Sequence, residues 1–240
     1  MRVWLLWLAM LGLGCAAPPD LRVGRLQARL VVDPTVHTFI ESYEVAVLRA
    51  LTSDERSVGC EDFPAKFDLG DEALQLEAFR SIAWDGSATE ATVEGLTVPV
   101  SQPLLIVVRA FDGNNDDALI VARGCKEDLR FTRGSSPQRA VDVRAATGAP
   151  CSSSDECEQH LDCQQDTDLP GGYCAQAGCS SNDDCPTASV CIEGGLCARP
   201  CSAGAECEGK SSQQCVSRQS VEGGCEKICV FPDWNAANSC

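Results

Sequence analysis

Apolar and polar positions alternate most regularly between residues 25 and 145. Residues 25–32 (RLQARLVV) set Leu26, Ala28 and Leu30 on one side and Gln27 and Arg29 on the other, the two-residue period of a half-buried strand. Residues 43–51 (YEVAVLRAL) alternate less cleanly, with Tyr43, Val45 and Val47 opposing Glu44, Ala46 and Leu48. Residues 91–98, 119–122 and 140–145 have the same strand character. In 104–111 (LLIVVRAF) the polar positions disappear, which predicts a strand buried on both faces. Turn formers separate these stretches, and only 71–83 (DEALQLEAFRSIA) reads as a short helix.

Six or seven strands in about 125 residues suit an all-β, Greek-key sandwich over 22–146, resembling the immunoglobulin or fibronectin type III kind. The Cys…Trp…Cys hallmark of antibody domains is missing, so the resemblance is one of architecture only. Cys60 and Cys125, the two cysteines of this segment, are expected to pair with each other.

Beyond a linker at 147–150 (TGAP) the apolar pattern gives way to cysteine. Fourteen of the 17 cysteines lie in 151–240. Cys151, Cys157, Cys163 and Cys174 form a first unit (151–174), and Cys179, Cys185, Cys191 and Cys197 a second (179–197). Cys201, Cys207, Cys215 and Cys225 read as a third (201–240), with Cys229 and Cys240 as its extension. Each unit opens on Cys-Ser and carries an acid just before its second cysteine, as in Asp155-Glu156-Cys157 and Asp183-Asp184-Cys185. Each closes with Gly-Gly near a cysteine, at Gly171-Gly172, Gly194-Gly195 and Gly223-Gly224. So few large apolar residues cannot offset the ordering of ninety residues, so the cross-links are expected to hold this disulfide-rich, loop-dominated tail. Several pairings satisfy the spacing. Zinc is disfavoured, because no Cys-x2-Cys occurs and His160 is the tail's only histidine.

This spacing, with its acid-Cys and Gly-Gly elements, resembles the Dickkopf N-terminal cysteine-rich repeat and the four-cysteine repeats of bacterial surface lipoproteins. The resemblance implies a disulfide-knotted repeat and names no partner.

Charge changes the picture in one respect. Net charge is −16, with acid in excess in both halves, which excludes nucleic acid and anionic membrane surfaces as natural partners. The start of the chain changes it in another. Arg2 precedes an eleven-residue apolar run, too short to span a bilayer and fit for an export signal (1–14). Leu13-Gly14-Cys15-Ala16 resembles the lipobox of bacterial lipoproteins, which implies a lipidated Cys15 and a tether at 15–21. The other reading is cleavage after Ala16 or Ala17, which would remove Cys15.

Catalytic chemistry has little to draw on. His37 and His160 are the only histidines, neither lies near a nucleophile signature, and no phosphate loop occurs. Asp112, Asn114 and Asp116 offer hard oxygens of the calcium-binding type, yet they fall where a hairpin turn is expected and turn chemistry explains them. The sequence therefore predicts an exported, outer-membrane-anchored lipoprotein at the cell surface or in the periplasm. It is expected to be non-enzymatic, to need no cofactor, and to bind an unidentified protein or glycan or serve a structural role. The alternatives are a proteinase inhibitor presenting loop 164–173 and a calcium-binding surface protein.

Overall fold

A computed structural model describes residues 23–63, 69–84, 88–100, 102–113, 118, 120–132, 134, 136–165, 172–186, 188–202, 207, 213–230 and 240. Seven strands make one sheet: β1 (Val23–Val32), β2 (Ser42–Thr52), β3 (Leu74–Ala83), β4 (Glu90–Pro99), β5 (Leu104–Phe111), β6 (Ile120–Leu129) and β7 (Gln138–Ala145). Their order is β3-β2-β5-β6-β7-β1-β4, antiparallel except for the β1–β7 pair. The edge strands β3 and β4 approach each other, so the sheet nearly closes on itself. In an immunoglobulin constant domain the first, second, fifth and fourth strands share a sheet. Here the first strand pairs with the fourth and seventh, so the chain is all-β with its own strand order.

The alternation of β1 is realised in full: Leu26, Ala28, Leu30 and Val32 are buried and the residues between them are not. A bulge between Leu26 and Ala28 on the β4 partner is absorbed at Gly95, whose φ of +75° suits glycine. Strands β2 and β5 lie mid-sheet and are covered on both sides. Val45, Val47, Ile106 and Val108 face the main core, while Ala46, Leu48, Leu105 and Val107 face a second one. The second core is roofed by Val58 and Phe63, on the β2–β3 connection. A disulfide from Cys60 to Cys125 clips that connection to β6.

Two expectations fail here. Residues 71–83 form no helix; they provide the edge strand β3, because pairing along β2 outweighs the helix propensity of their Ala, Leu and Glu. The edge leaves Leu76 and Phe79 53% and 43% exposed. Strand β6 runs to Leu129, well past the apolar LIVA, and therefore contains Cys125. Its polar half pairs with β5 through backbone bonds, and a Cβ at Gly124 would collide with the carbonyl oxygen of Asp142.

The tail is built from three short hairpins: β8 (Asp162–Gln164) with β9 (Tyr173–Ala175), β10 (Val190–Ile192) with β11 (Leu196–Ala198), and β12 (Gln214–Gln219) with β13 (Cys225–Val230). In each, two cysteines sit directly opposite one another: Cys163 and Cys174, Cys191 and Cys197, Cys215 and Cys229. Each of them reaches back to a different earlier cysteine. The pairs are Cys151–Cys163 and Cys157–Cys174, Cys179–Cys191 and Cys185–Cys197, Cys201–Cys215 and Cys207–Cys229. Every unit thus joins its first cysteine to its third and its second to its fourth.

The third unit corrects the sequence alignment. Its fourth member is Cys229, not Cys225, which instead bonds to Cys240. Gly223-Gly224 forms the tip of the β12–β13 hairpin and does not close the unit. A recurring backbone bond marks the true equivalence. The amide of Cys174 donates to Ala149 O, that of Cys197 to Gln176 O and that of Cys229 to Arg199 O, at 3.0, 2.9 and 2.9 Å.

The few large apolar residues of the tail collect at seams between units. Ile192, Ile228 and Val230 pack with Leu196 and Val216, while Tyr173 and Ala175 pack with Leu196. Leu161, Cys151, Cys157 and Cys174 go elsewhere and join the main core of the sheet. Eight disulfides among the described residues belong to an oxidising, extracellular or periplasmic environment. No helix among the described residues is long and apolar enough to cross a membrane.

Candidate functional site

The acids before the second cysteines of the first two units have a local task. Glu156 Oε2 accepts from the amide of Ser152, and Asp184 Oδ2 accepts from the amides of Ser180 and Ser181 and from the Ser180 hydroxyl. They tie down the 3-10 turns Ser154–Glu156 and Asn182–Asp184. The amide and hydroxyl of Ser180 hold the Asp184 carboxyl below its usual range. Gly172 also serves the fold. It has φ +71°, and a Cβ there would drive into the carbonyl oxygen of Cys151.

Arg199 joins the tail to the sheet. It lies between the second and third units and is 6% exposed. Its Nε and Nη2 donate to Thr147 O at 3.1 and 2.9 Å, and Nη2 also donates to Ile120 O at 3.0 Å. Its own amide donates to the Tyr173 hydroxyl at 3.1 Å, and that hydroxyl donates to Cys229 O. Burial pulls the guanidinium below its ordinary value, and Tyr173 and Asp112 oppose that. One residue thus connects β6 and the linker through its side chain and, through its amide and Tyr173, the first and third units. Beside it Gln213 Nε2 donates to Gly148 O.

Where the first two units meet the outer face of the sheet, two adjoining hollows of about 380 and 320 Å³ share Phe63, Glu158, Gln159 and His160. Strands β6 and β7 contribute Arg123, Asp142 and Arg144 to the first; Asp183, Asp184 and Glu61 line the second. The Cys60–Cys125 disulfide fixes the wall carrying Phe63. The opposite wall is held by a parallel bridge from Ala145 to Cys157 and by the Glu158 amide donating to Ala145 O at 2.7 Å. His160 sits at the shared middle with φ +77°, a left-handed conformation that histidine tolerates better than most residues.

Charge in the cleft is set by register. Arg109, Arg123 and Arg144 lie directly opposite one another on β5, β6 and β7. Like charges in that position repel. Arg109 is answered by Glu44, opposite it on β2, with Nε 3.0 Å from Oε2. Arg123 is answered by Glu158 from the tail, 3.4 Å away, with the two side chains only 12% and 14% exposed. Burial pushes the Glu158 carboxyl up, against the pull of Arg123. Arg144 is exposed, and no ion pair reaches it among the described residues.

The residues singled out by sequence are scattered. Cys15 and the expected export signal lie outside the described residues, as do Asn114 and Asp116; Asp112 is described and faces the Arg199 charge. Tyr173, at the end of the 164–173 loop, is fully buried. His37 has its Nδ1 2.6 Å from Pro34 O, remote in sequence from the cleft, whereas His160 lines it. The sulfurs of Cys151, Cys157 and Cys174 lie within 4.8 Å of one another, and all three are taken up in disulfides. Arg123, Asp142, Arg144, Glu158 and Phe63 carried no signal along the chain, since only strand register and the clipped connection bring them together.

No protein-family model and no curated protein matches the chain. Among solved structures, a fimbrial assembly protein from Parabacteroides distasonis is similar over 67% of this chain and 70% of that one, at 12% identity. Its TM-score of 0.26 is too low for any inference about this chain.

Proposed function

We propose that the chain is a non-enzymatic cell-envelope lipoprotein, lipid-anchored through Cys15 to the outer membrane, whose sheet and repeats together present a binding cleft to a partner. The observation that supports this reading is the junction. Two regions with different means of stabilisation are joined by a buried arginine and a shared core, and the cleft opens along their seam. A purely structural spacer needs no such fixed hollow, whereas a binding surface gains from having its walls ordered beforehand. The anchor is tested with Cys15→Ser, which should shift the protein from the detergent phase to the aqueous phase. For the cleft, the immobilised oxidised protein should retain a partner from envelope extract that the Gln159→Arg and His160→Asp variants, both at exposed lining positions, do not. Equal retention by both variants would end the cleft reading.

A further inference from the structure

Three arginines in line across neighbouring strands are an unfavourable arrangement unless acids answer them. Two have their answer, Glu44 on β2 and Glu158 in the tail. The third, Arg144, points into the 380 Å³ hollow beside Arg123 with no acid bonded to it among the described residues. Asp142 stands two residues away on the same face of β7 and lines the same hollow, and no ion pair joins it to Arg144 among the described residues. The row therefore lacks one carboxylate, and the hollow has room for it.

We propose that the hollow beside Arg144 is a recognition site for the carboxylate of an acidic peptide segment, an Asp or Glu side chain or a chain terminus. The proposal rests on the cleft being a binding surface and supplies the chemistry of its ligand. Arg144 takes the carboxylate through its planar fork, with Arg123 alongside, its charge already answered by Glu158. Asp142 is an acceptor beside that point, where a peptide offers backbone N–H groups. Phe63 supplies an apolar wall for the chain carrying them. Guanidinium is favoured over ammonium, because the planar fork meets both carboxylate oxygens where an ammonium offers a point charge. The net charge of −16 repels acidic ligands at long range, so affinity must come from these few residues at contact and not from the general field.

The test uses the full-length oxidised protein and a fluorescein-labelled octapeptide alternating Gly and Glu, with its Gly-Lys counterpart and inorganic phosphate as comparisons. The acidic peptide should bind and the lysine peptide should not. Arg144→Gln should weaken binding by about tenfold or more, as expected for a lost charge-assisted pair. Arg144→Lys should restore only part of it. Arg139→Gln removes an exposed charge from the same strand outside the hollow and should change nothing. Arg144→Gln and Arg144→Lys should melt no lower than the parent protein, since no acid among the described residues is bonded to Arg144 and the glutamine relieves the repulsion in the row. Equal binding of the two peptides, unchanged binding by Arg144→Gln, full displacement by phosphate at equal concentration, or no binding of the acidic peptide would each overturn the proposal. If the acidic peptide fails while envelope partners are still retained through Gln159 and His160, this inference falls and the cleft reading stands.

Discussion

The sheet and the repeats solve the same problem with opposite means. In the sheet, a run such as 104–111 is buried on both faces, and one disulfide closes a loop of 65 residues. In the repeats, seven disulfides serve ninety residues, and beyond the first unit the described apolar side chains gather in small seams. The difference teaches that cross-links need not replace a core throughout. The first unit belongs partly to each regime: Cys151, Cys157, Cys174 and Leu161 lie in the main core of the sheet while the same cysteines carry its cross-links.

The strongest way to break the contrast is full reduction. Hydrogen exchange with and without dithiothreitol should show protection lost at β10 to β13, partly kept at β8 and β9, and largely kept at β1 and β5. Loss of protection at β5 together with the tail would mean that the sheet depends on the cross-links as well. Next in size is Cys60→Ala with Cys125→Ala. It frees the connection that roofs the second core, and the chain-entropy estimate for a 65-residue loop is about 4 kcal/mol. Denaturant unfolding should show that loss in the sheet transition and none in the repeats.

Arg199→Met tests the weld between the two. It deletes donors to the carbonyls of Thr147 and Ile120, and unanswered buried carbonyls should lower stability by about 2–3 kcal/mol. Exchange should quicken at the linker and the start of β6 before it does at β5. If β10 alone responds, Arg199 serves the tail and not the junction.

The smallest effect is a pair of opposite pH slopes. The Asp184 carboxyl sits below its ordinary range, so its contribution is present above that range and fades as pH falls through the lowered value. The Glu158 carboxyl sits above its ordinary range, so the folded state binds the extra proton and stability declines as pH rises towards the raised value. Asp184→Asn should flatten the acid side of a melting-temperature profile, and Glu158→Gln the side above it. The same slope in both variants would contradict the assignment.

Much of the sheet was legible along the chain. The bounds of β5 and the alternation of β1 follow from side-chain period alone, since a strand with one or two buried faces must write that into its sequence. β3 was not legible, because an edge strand buries little and its Ala, Leu and Glu also suit a helix. The polar end of β6 was hidden for a related reason: backbone pairing holds it, and backbone leaves no pattern. In the tail the units could be read from spacing, but Cys225 and Cys229 lie four residues apart and only the hairpin register separates their roles. The cleft was hidden altogether, since Arg109, Arg123 and Arg144 become neighbours only when three strands align.

The crossed pairing of the repeats bears on where such a chain can change length. In the three units the third and fourth cysteines stand 11, 6 and 14 residues apart, yet each pair faces across a hairpin. Neither disulfide of a unit closes through the hairpin tip alone, and each cysteine is fixed by an earlier one. By loop-closure entropy, going from the shortest of these hairpins to the longest costs only about 0.8 kcal/mol. The distance from first to second cysteine is the same, six residues, in all three units. The tips are therefore natural sites for grafting foreign peptides, with the four-cysteine frame as a rigid mount, whereas an insertion between the first two cysteines would dismantle it.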